Sequence, residues 1–146
     1  MSGLIDTNIL LYAANKDSAE HGVAIDFLSG CVSGTDAWYL TEGIVYEFLR
    51  VSTHPRVFGS PLNWRSAMQY LSVIIERDNV FVLTAGLEHW SVLGEILEQI
   101  RRPEGNLFFD IRTYTLMREH AVRTVYTADS DFLQFEDITV VNPMRP

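Results

Sequence analysis

Five carboxylates stand where the surrounding residues leave little room for charge. Asp6 closes the apolar run Gly3-Leu4-Ile5 and is followed by Thr7-Asn8. Glu47 interrupts Ile44-Val45-Tyr46-Glu47-Phe48-Leu49, and Asp110 follows Leu107-Phe108-Phe109. Asp129 and Asp131 come directly after Thr124-Val125-Tyr126-Thr127-Ala128. An unpaired carboxylate among apolar groups costs several kcal/mol or shifts its pKa until it is neutral. A group of them becomes tolerable if they converge and a divalent cation supplies the missing charge. Magnesium and manganese take oxygen ligands in near-octahedral geometry. Four carboxylates leave positions open for water and a phosphate oxygen, which is what metal-assisted attack on a phosphodiester requires.

Each acid also has a local reading. Asp6 can cap the helix that follows it, and Asp129 can cap the turn into Phe132. Glu47 can pair with Arg50 three residues on, an interaction worth a few tenths of a kcal/mol. Asp131 can simply face solvent. Asp110 has no basic residue at i±3 or i±4 on its helical face. At about 100° per residue it falls in the arc holding Leu107, Tyr114, Met117 and Ala121, opposite Arg112, Leu116 and Glu119. Glu47 lies between Ile44 and Val51 and is expected among apolar groups. Taken singly the local readings suffice; the joint occurrence of five such acids argues for a shared metal site.

Other chemistries find less support. There is no GxxxxGK[ST] loop and no GxGxxG turn. Cys31, in Leu28-Ser29-Gly30-Cys31-Val32, reads as a buried thiol at a helix end. No two of His21, His54, His89 and His120 share zinc-ligand spacing, and no nucleophile elbow is present. A phospho-receiver domain would need a lysine near the end of a late strand, and the sole lysine is Lys16.

The elements that must position these acids alternate between strand and helix. Strands are expected at Gly3 to Asp6, Trp38 to Leu40, Val80 to Leu83, Thr124 to Thr127 and Ile138 to Val141. Helices are expected over Thr7 to Ala14 and over Ser18 to Ser29, the second capped by Ser18 and stopped by Gly30. Thr41 caps the helix carrying Glu47, and Asn63 caps one with Trp64, Ala67, Met68, Leu71, Ile74 and Ile75 in a stripe. A further amphipathic helix runs through Leu87, Trp90, Leu93, Leu97 and Ile100, and Gly105-Asn106 open the helix bearing Asp110. The stripes headed by Trp64 and Trp90 read as core. Such alternation predicts an α/β fold with a mostly parallel sheet covered on both faces. Ligands of such sheets bind outside the carboxyl ends of the strands. Asp6, Asp129 and Asp131 all fall at that edge.

With 146 residues, 47% of them hydrophobic and 12% aromatic, the sequence reads as one domain over residues 1–146. No segment approaches the ~18 apolar residues of a membrane span. Asp6 interrupts the first apolar run, so no signal peptide is expected, and a single cysteine suits a reducing cytoplasm. A net charge of −8 argues against a broad basic face for nucleic acid. The local cluster Arg50, His54 and Arg56 is either an RNA contact or a solvated helix end favourable to the helix dipole.

Four ordered motifs resemble the PIN domain, the ribonuclease fold of VapC toxins. They are Leu4-Ile5-Asp6-Thr7-Asn8-Ile9-Leu10-Leu11-Tyr12, the stretch from Thr41 to Phe58 around Glu47, Asp110, and Thr127-Ala128-Asp129-Ser130-Asp131-Phe132, with Val141-Asn142-Pro143 as the closing strand. The resemblance implies a three-layer α/β/α fold and a magnesium- or manganese-dependent endoribonuclease, the toxin of a toxin–antitoxin pair. It also implies a homodimer neutralised by a small VapB-like antitoxin whose tail enters the acidic cleft. On this basis Asp6, Asp110 and Asp129 hold the metal, and Glu47 binds it or orients the attacking water. Asp131 assists, and Asn8 or Thr127 fixes carboxylate orientation. The sequence departs from the family after Asp110, where Ile111-Arg112-Thr113-Tyr114-Thr115 replaces a small, alanine-rich helix. That bulk beside the metal raises an alternative: a catalytically weak or inactive PIN-like module that binds RNA or a protein partner.

Overall fold

Gly3, Leu4 and Ile5 are buried at three consecutive positions, so the strand they form, β1 (Gly3–Ile5), is covered on both faces. The computed structural model describes residues 1–145. After β1 come α1 (Thr7–Ala14), α2 (His21–Ser33), β2 (Trp38–Thr41), α3 (Glu42–Ser52) and α4 (Trp64–Ile75). The chain continues through β3 (Val80–Leu83), α5 (His89–Gln99), α6 (Leu107–Glu119), β4 (Thr124–Tyr126), a 3-10 turn over Ser130–Gln134, and β5 (Thr139–Val141). The strands form one sheet in the order β3-β2-β1-β4-β5, and every neighbouring pair is parallel. No helix among the described residues is long and apolar enough to cross a membrane.

That strand order fixes where the site lies. The chain leaves β1 toward β2 and β3 on one side, then returns to place β4 and β5 on the other. The order therefore reverses between β1 and β4, and a crevice opens at their carboxyl ends. Leu4 pairs with Tyr39 on one side and with Val125 on the other. Close pairing with β4 depends on Gly3, because a Cβ there would sit 2.7 Å from the Thr124 carbonyl oxygen and 2.8 Å from the Tyr126 ring. The core around the sheet is built from Leu4, Ile5, Leu40 and Val125 together with Ile9, Leu10, Phe48, Ile111 and Met117, all fully buried.

Several expectations are corrected. The second helix begins at His21 rather than Ser18 and runs through Gly30 to Ser33. Ser18 instead accepts the backbone N–H of Glu20, 3.2 Å away, in a turn before the helix. Gly30 does not stop α2, because Leu28 and Cys31 on either side of it are buried and hold the backbone helical. Trp64 and Trp90 are not core but 61% and 77% exposed; Ala67, Leu71 and Ile74 of α4 and Ile96 of α5 carry the burial instead. Leu116 is buried rather than opposite the core, because α6 is buried almost all round from Ile111 to Met117. Ala121 lies beyond the end of α6, exposed and with φ of 55°.

Candidate active site

Asp6 is the first residue after β1 and the N-cap of α1, so strand and helix together hold it at the crevice. Its backbone N–H donates to the Tyr126 carbonyl at 3.0 Å, and its carboxylate accepts the Thr7 N–H at 2.8 Å. The local capping role and a place in the site are therefore compatible. Asp129 likewise caps the 3-10 turn, accepting the Asp131 N–H at 2.8 Å.

Thr127 and Asn8 join these two acids. The Thr127 hydroxyl donates to Asp6 Oδ2 at 2.8 Å and accepts from Asn8 Nδ2 at 2.9 Å and from the Asp129 N–H at 3.0 Å. One donor and two acceptor positions exhaust a hydroxyl's capacity. Asn8 Nδ2 also reaches Asp6 Oδ2 at 3.2 Å, and Asn8 Oδ1 accepts the Ala128 N–H at 3.1 Å. Two residues 119 apart in the chain thus lock the loop after β4 onto the start of α1.

Asp110, in the first turn of α6, faces this loop. Asp110, Asp129 and Asp131 each offer a carboxylate oxygen within 4.8 Å of the others. Asp6 and Glu47 are outside that triad but close enough to act on it. Burial first, then the charges of Asp6, Asp129, Asp131 and Glu47, push the Asp110 carboxyl up to about 7. Burial also raises Asp6 to about 6, against the hydrogen bonds from Thr127 and Thr7 and with the charges of Glu47 and Asp129. The charges of the other four acids therefore all reach Asp110 across the crevice. Among the described residues none of the five is ion-paired. A group of hard oxygen donors with no ion-paired cation among the described residues fits a divalent metal ion.

Glu47 departs from expectation. It is exposed at the rim rather than embedded, because the stretch of α3 around it turns Ile44 and Phe48 inward and leaves Tyr46 and Glu47 outside. It makes no ion pair with Arg50; its Oε2 accepts the Thr7 hydroxyl at 2.9 Å instead. That contact between residues 40 apart carries no local sequence signal. Arg50 lines a cavity with Glu47. His54 and Arg56 do not join it: they lie in the exposed loop past α3, where His54 Nδ1 accepts the Arg56 N–H at 3.0 Å.

Within the bulky segment after Asp110, Arg112 and Thr113 line the cavity that Glu47 also lines, whereas Tyr114 packs elsewhere. Tyr114 stacks on Phe135 with ring centroids 4.1 Å apart, and its hydroxyl donates to Asp137. Ile111 is fully buried and Arg112 is exposed. Elsewhere, burial pushes the Cys31 thiol up to about 12, as suits an inert core group. A buried pair missed in the sequence joins α5 to α6: His89 Nδ1 lies 2.7 Å from Glu119 Oε2, and Glu119 Oε1 accepts the Gly86 N–H at 3.0 Å. An open depression of about 800 Å³ beside Gly34 and Asn79 sits at the amino ends of β2 and β3, away from the acids.

The family model for the PIN domain matches residues 3–138. Ribonuclease VapC48 of Mycobacterium tuberculosis is 29% identical over 98% of each chain. Ribonuclease VapC24 of the same organism is 32% identical over 81% of this chain and 79% of its own. The solved structure of VapBC-1 from nontypeable Haemophilus influenzae superposes with a TM-score of 0.69 over 99% of this chain and all of its own, at 18% identity, a likeness of fold. The chain belongs to the PIN domain family, among the VapC ribonucleases.

Proposed function

We propose that this protein is a metal-dependent endoribonuclease and the toxin of a VapBC-type pair, acting through a single PIN-like unit. The observation that carries the reading is the convergence of Asp6, Glu47, Asp110, Asp129 and Asp131, without an ion pair, at the carboxyl ends of β1 and β4. On this reading Asp110, Asp129 and Asp131 would hold Mg²⁺ or Mn²⁺, with Asp6 behind them; the proximity of the three carboxylates supports it. When bound, such an ion offsets negative charge developing on the phosphodiester and makes a water more acidic. Glu47 has one oxygen committed to Thr7 and the other free at the exposed rim, where it can accept a proton from an attacking water. Thr127 and Asn8 fix the Asp6 carboxylate and the Asp129 loop, so the acids keep their spacing as substrate enters.

The ribonuclease names of the mycobacterial relatives and the VapBC-1 assembly of the Haemophilus neighbour support the activity and a VapB-like antitoxin as partner. An acidic cleft favours an antitoxin cation. A homodimer also needs apolar surface, which the exposed Leu87, Trp90 and Phe108 supply. We place the protein in the cytoplasm, where its RNA substrates are.

The test is incubation of purified protein with total cellular RNA in Mg²⁺ or EDTA, with sequencing of the new 5′ ends. Wild type is expected to cleave at defined positions only with metal, and Asp6→Asn and Asp110→Asn to be folded and inactive. Cleavage at wild-type rate by a contaminant-free preparation of either variant would overturn the assignment.

A further inference from the structure

Beside the carboxylates, between α3 and α6, lies a cavity of about 320 Å³ lined by Ile44, Tyr46, Glu47, Arg50, Phe109 and Arg112. Its composition is unusual for the rim of an acidic site. Tyr46 and Phe109 are 71% and 68% exposed although each is large and apolar. Arg50 and Arg112 carry positive charge without a carboxylate partner among the described residues. In a chain of net charge −8, two unpaired guanidinium groups on one cavity are a local arrangement. The Arg112 group lies over Gly43, where even an added Cβ would meet its Nη1 at 3.1 Å, so the glycine lets it cross the face of α3.

A ligand for this cavity should offer a flat π-face to the aromatic rings and negative charge to the arginines, and should reach Glu47. A nucleotide of single-stranded RNA meets all three requirements. Unstacked bases pack on aromatic side chains and on guanidinium planes, and arginine forks match phosphate oxygens. A cationic antitoxin side chain is repelled by the same arginines and belongs with the carboxylates instead. Resting on the ribonuclease reading above, we propose that this cavity is a nucleobase subsite in which Tyr46 and Phe109 flank one unstacked base while Arg50 and Arg112 hold its neighbouring phosphates. The base bound there sets which phosphodiester is presented to the acids, so the subsite determines cleavage specificity.

The experiment uses short single-stranded RNAs carrying 5-iodouridine at successive positions, bound to the Asp110→Asn protein so that the RNA stays intact. Irradiation is expected to crosslink one position to Tyr46 or Phe109. In the same background, Tyr46→Ala with Phe109→Ala should weaken binding of that RNA about tenfold by fluorescence anisotropy, since a base–aromatic stack is worth roughly that factor or more. An abasic RNA at the crosslinked position should lose no further affinity in the double variant. Both side chains are exposed, and an unchanged melting temperature verifies the fold. Crosslinks confined to other residues, no RNA binding, or binding unmoved by the double substitution overturn the proposal; the last is the outcome if the aromatic pair serves a protein partner. Cleavage by wild type in Mg²⁺ is scored separately. Cleavage without crosslinks at these rings removes the subsite alone, and crosslinks without cleavage remove the nuclease reading alone.

Discussion

Thr127 has a larger role at the cleft than its size suggests. It is buried, and its hydroxyl serves Asp6, Asn8 and the Asp129 backbone at once. Thr127→Val keeps the shape but leaves three polar groups short of a partner. We expect a loss of about 1–3 kcal/mol in stability and a ~10- to 100-fold loss in Mg²⁺ affinity, read by thermal melting and calorimetric titration. Thr127→Ser should retain most of both, and a Val variant with unchanged Mg²⁺ affinity would remove the positioning role. At this scale the acids were legible because apolar neighbours made each conspicuous. Glu47 was legible as a member but not as to exposure, since helical angle alone does not say which part of α3 faces the crevice. The Thr7–Glu47 contact depends on how α1 lies against α3, which no local pattern encodes.

The end of α6 shows what one element contributes. The Val122 N–H donates to the Met117 carbonyl at 2.9 Å and the Ala121 N–H to Arg118 at 3.3 Å, the paired bonds of a Schellman termination. The left-handed position belongs to Ala121, whose Cβ is strained at φ of 55°. Ala121→Gly should therefore raise stability by about 1 kcal/mol, measured by chemical denaturation; a loss of stability would mean the Cβ makes contacts that outweigh the strain. Nearby, Glu119 ties His89 and the Gly86 N–H to the last turn of the same helix. Glu119→Ala leaves the buried His89 ring unmatched, while the exposed Gly86 N–H can turn to water, and should cost about 1–2 kcal/mol; a stability change near zero would show the pair to be dispensable. Neither feature was readable in advance. With alanine where termination favours glycine, the helix face reads as continuing through Ala121. Helical angle sets Glu119 opposite Asp110 and gives no sign of a buried partner, because the periodicity of α6 is weak once six of its residues are buried on all sides. The capping residues Thr41 and Asn63 were readable, since the Ile44 and Ser66 N–H groups they accept lie three residues on.

For the whole molecule, alternating strands and helices made the parallel sheet and its ligand-bearing edge legible. The reversal of strand order between β1 and β4, which brings Asp6 beside Asp129, required the long-range pairing itself. That reversal concentrates negative charge, and its energetic consequence is a stability that depends on pH and metal together. In the metal-free protein Asp6 and Asp110 bind protons more tightly folded than unfolded, at about 6 and about 7 against the ordinary 3.8. Between these limits the native state carries more protons, so unfolding free energy falls as pH rises and the loss is complete above the folded values. Asp6 alone contributes about 3 kcal/mol to that fall, and Asp110 acts in the same direction. A divalent ion replaces the protons, so its stabilising effect must grow over the same interval. Calorimetry in EDTA should show the melting temperature dropping from about pH 4.5 to about pH 8. Adding Mg²⁺ should restore most of it at the upper end and almost none at the lower. Asp110→Asn, which removes one of the two raised carboxyls, should make the EDTA profile shallower without abolishing the fall, because burial still raises Asp6. A wild-type profile already flat in EDTA would mean that burial and the neighbouring charges do not raise these carboxyls in the folded protein, and the metal site would lose its physical basis.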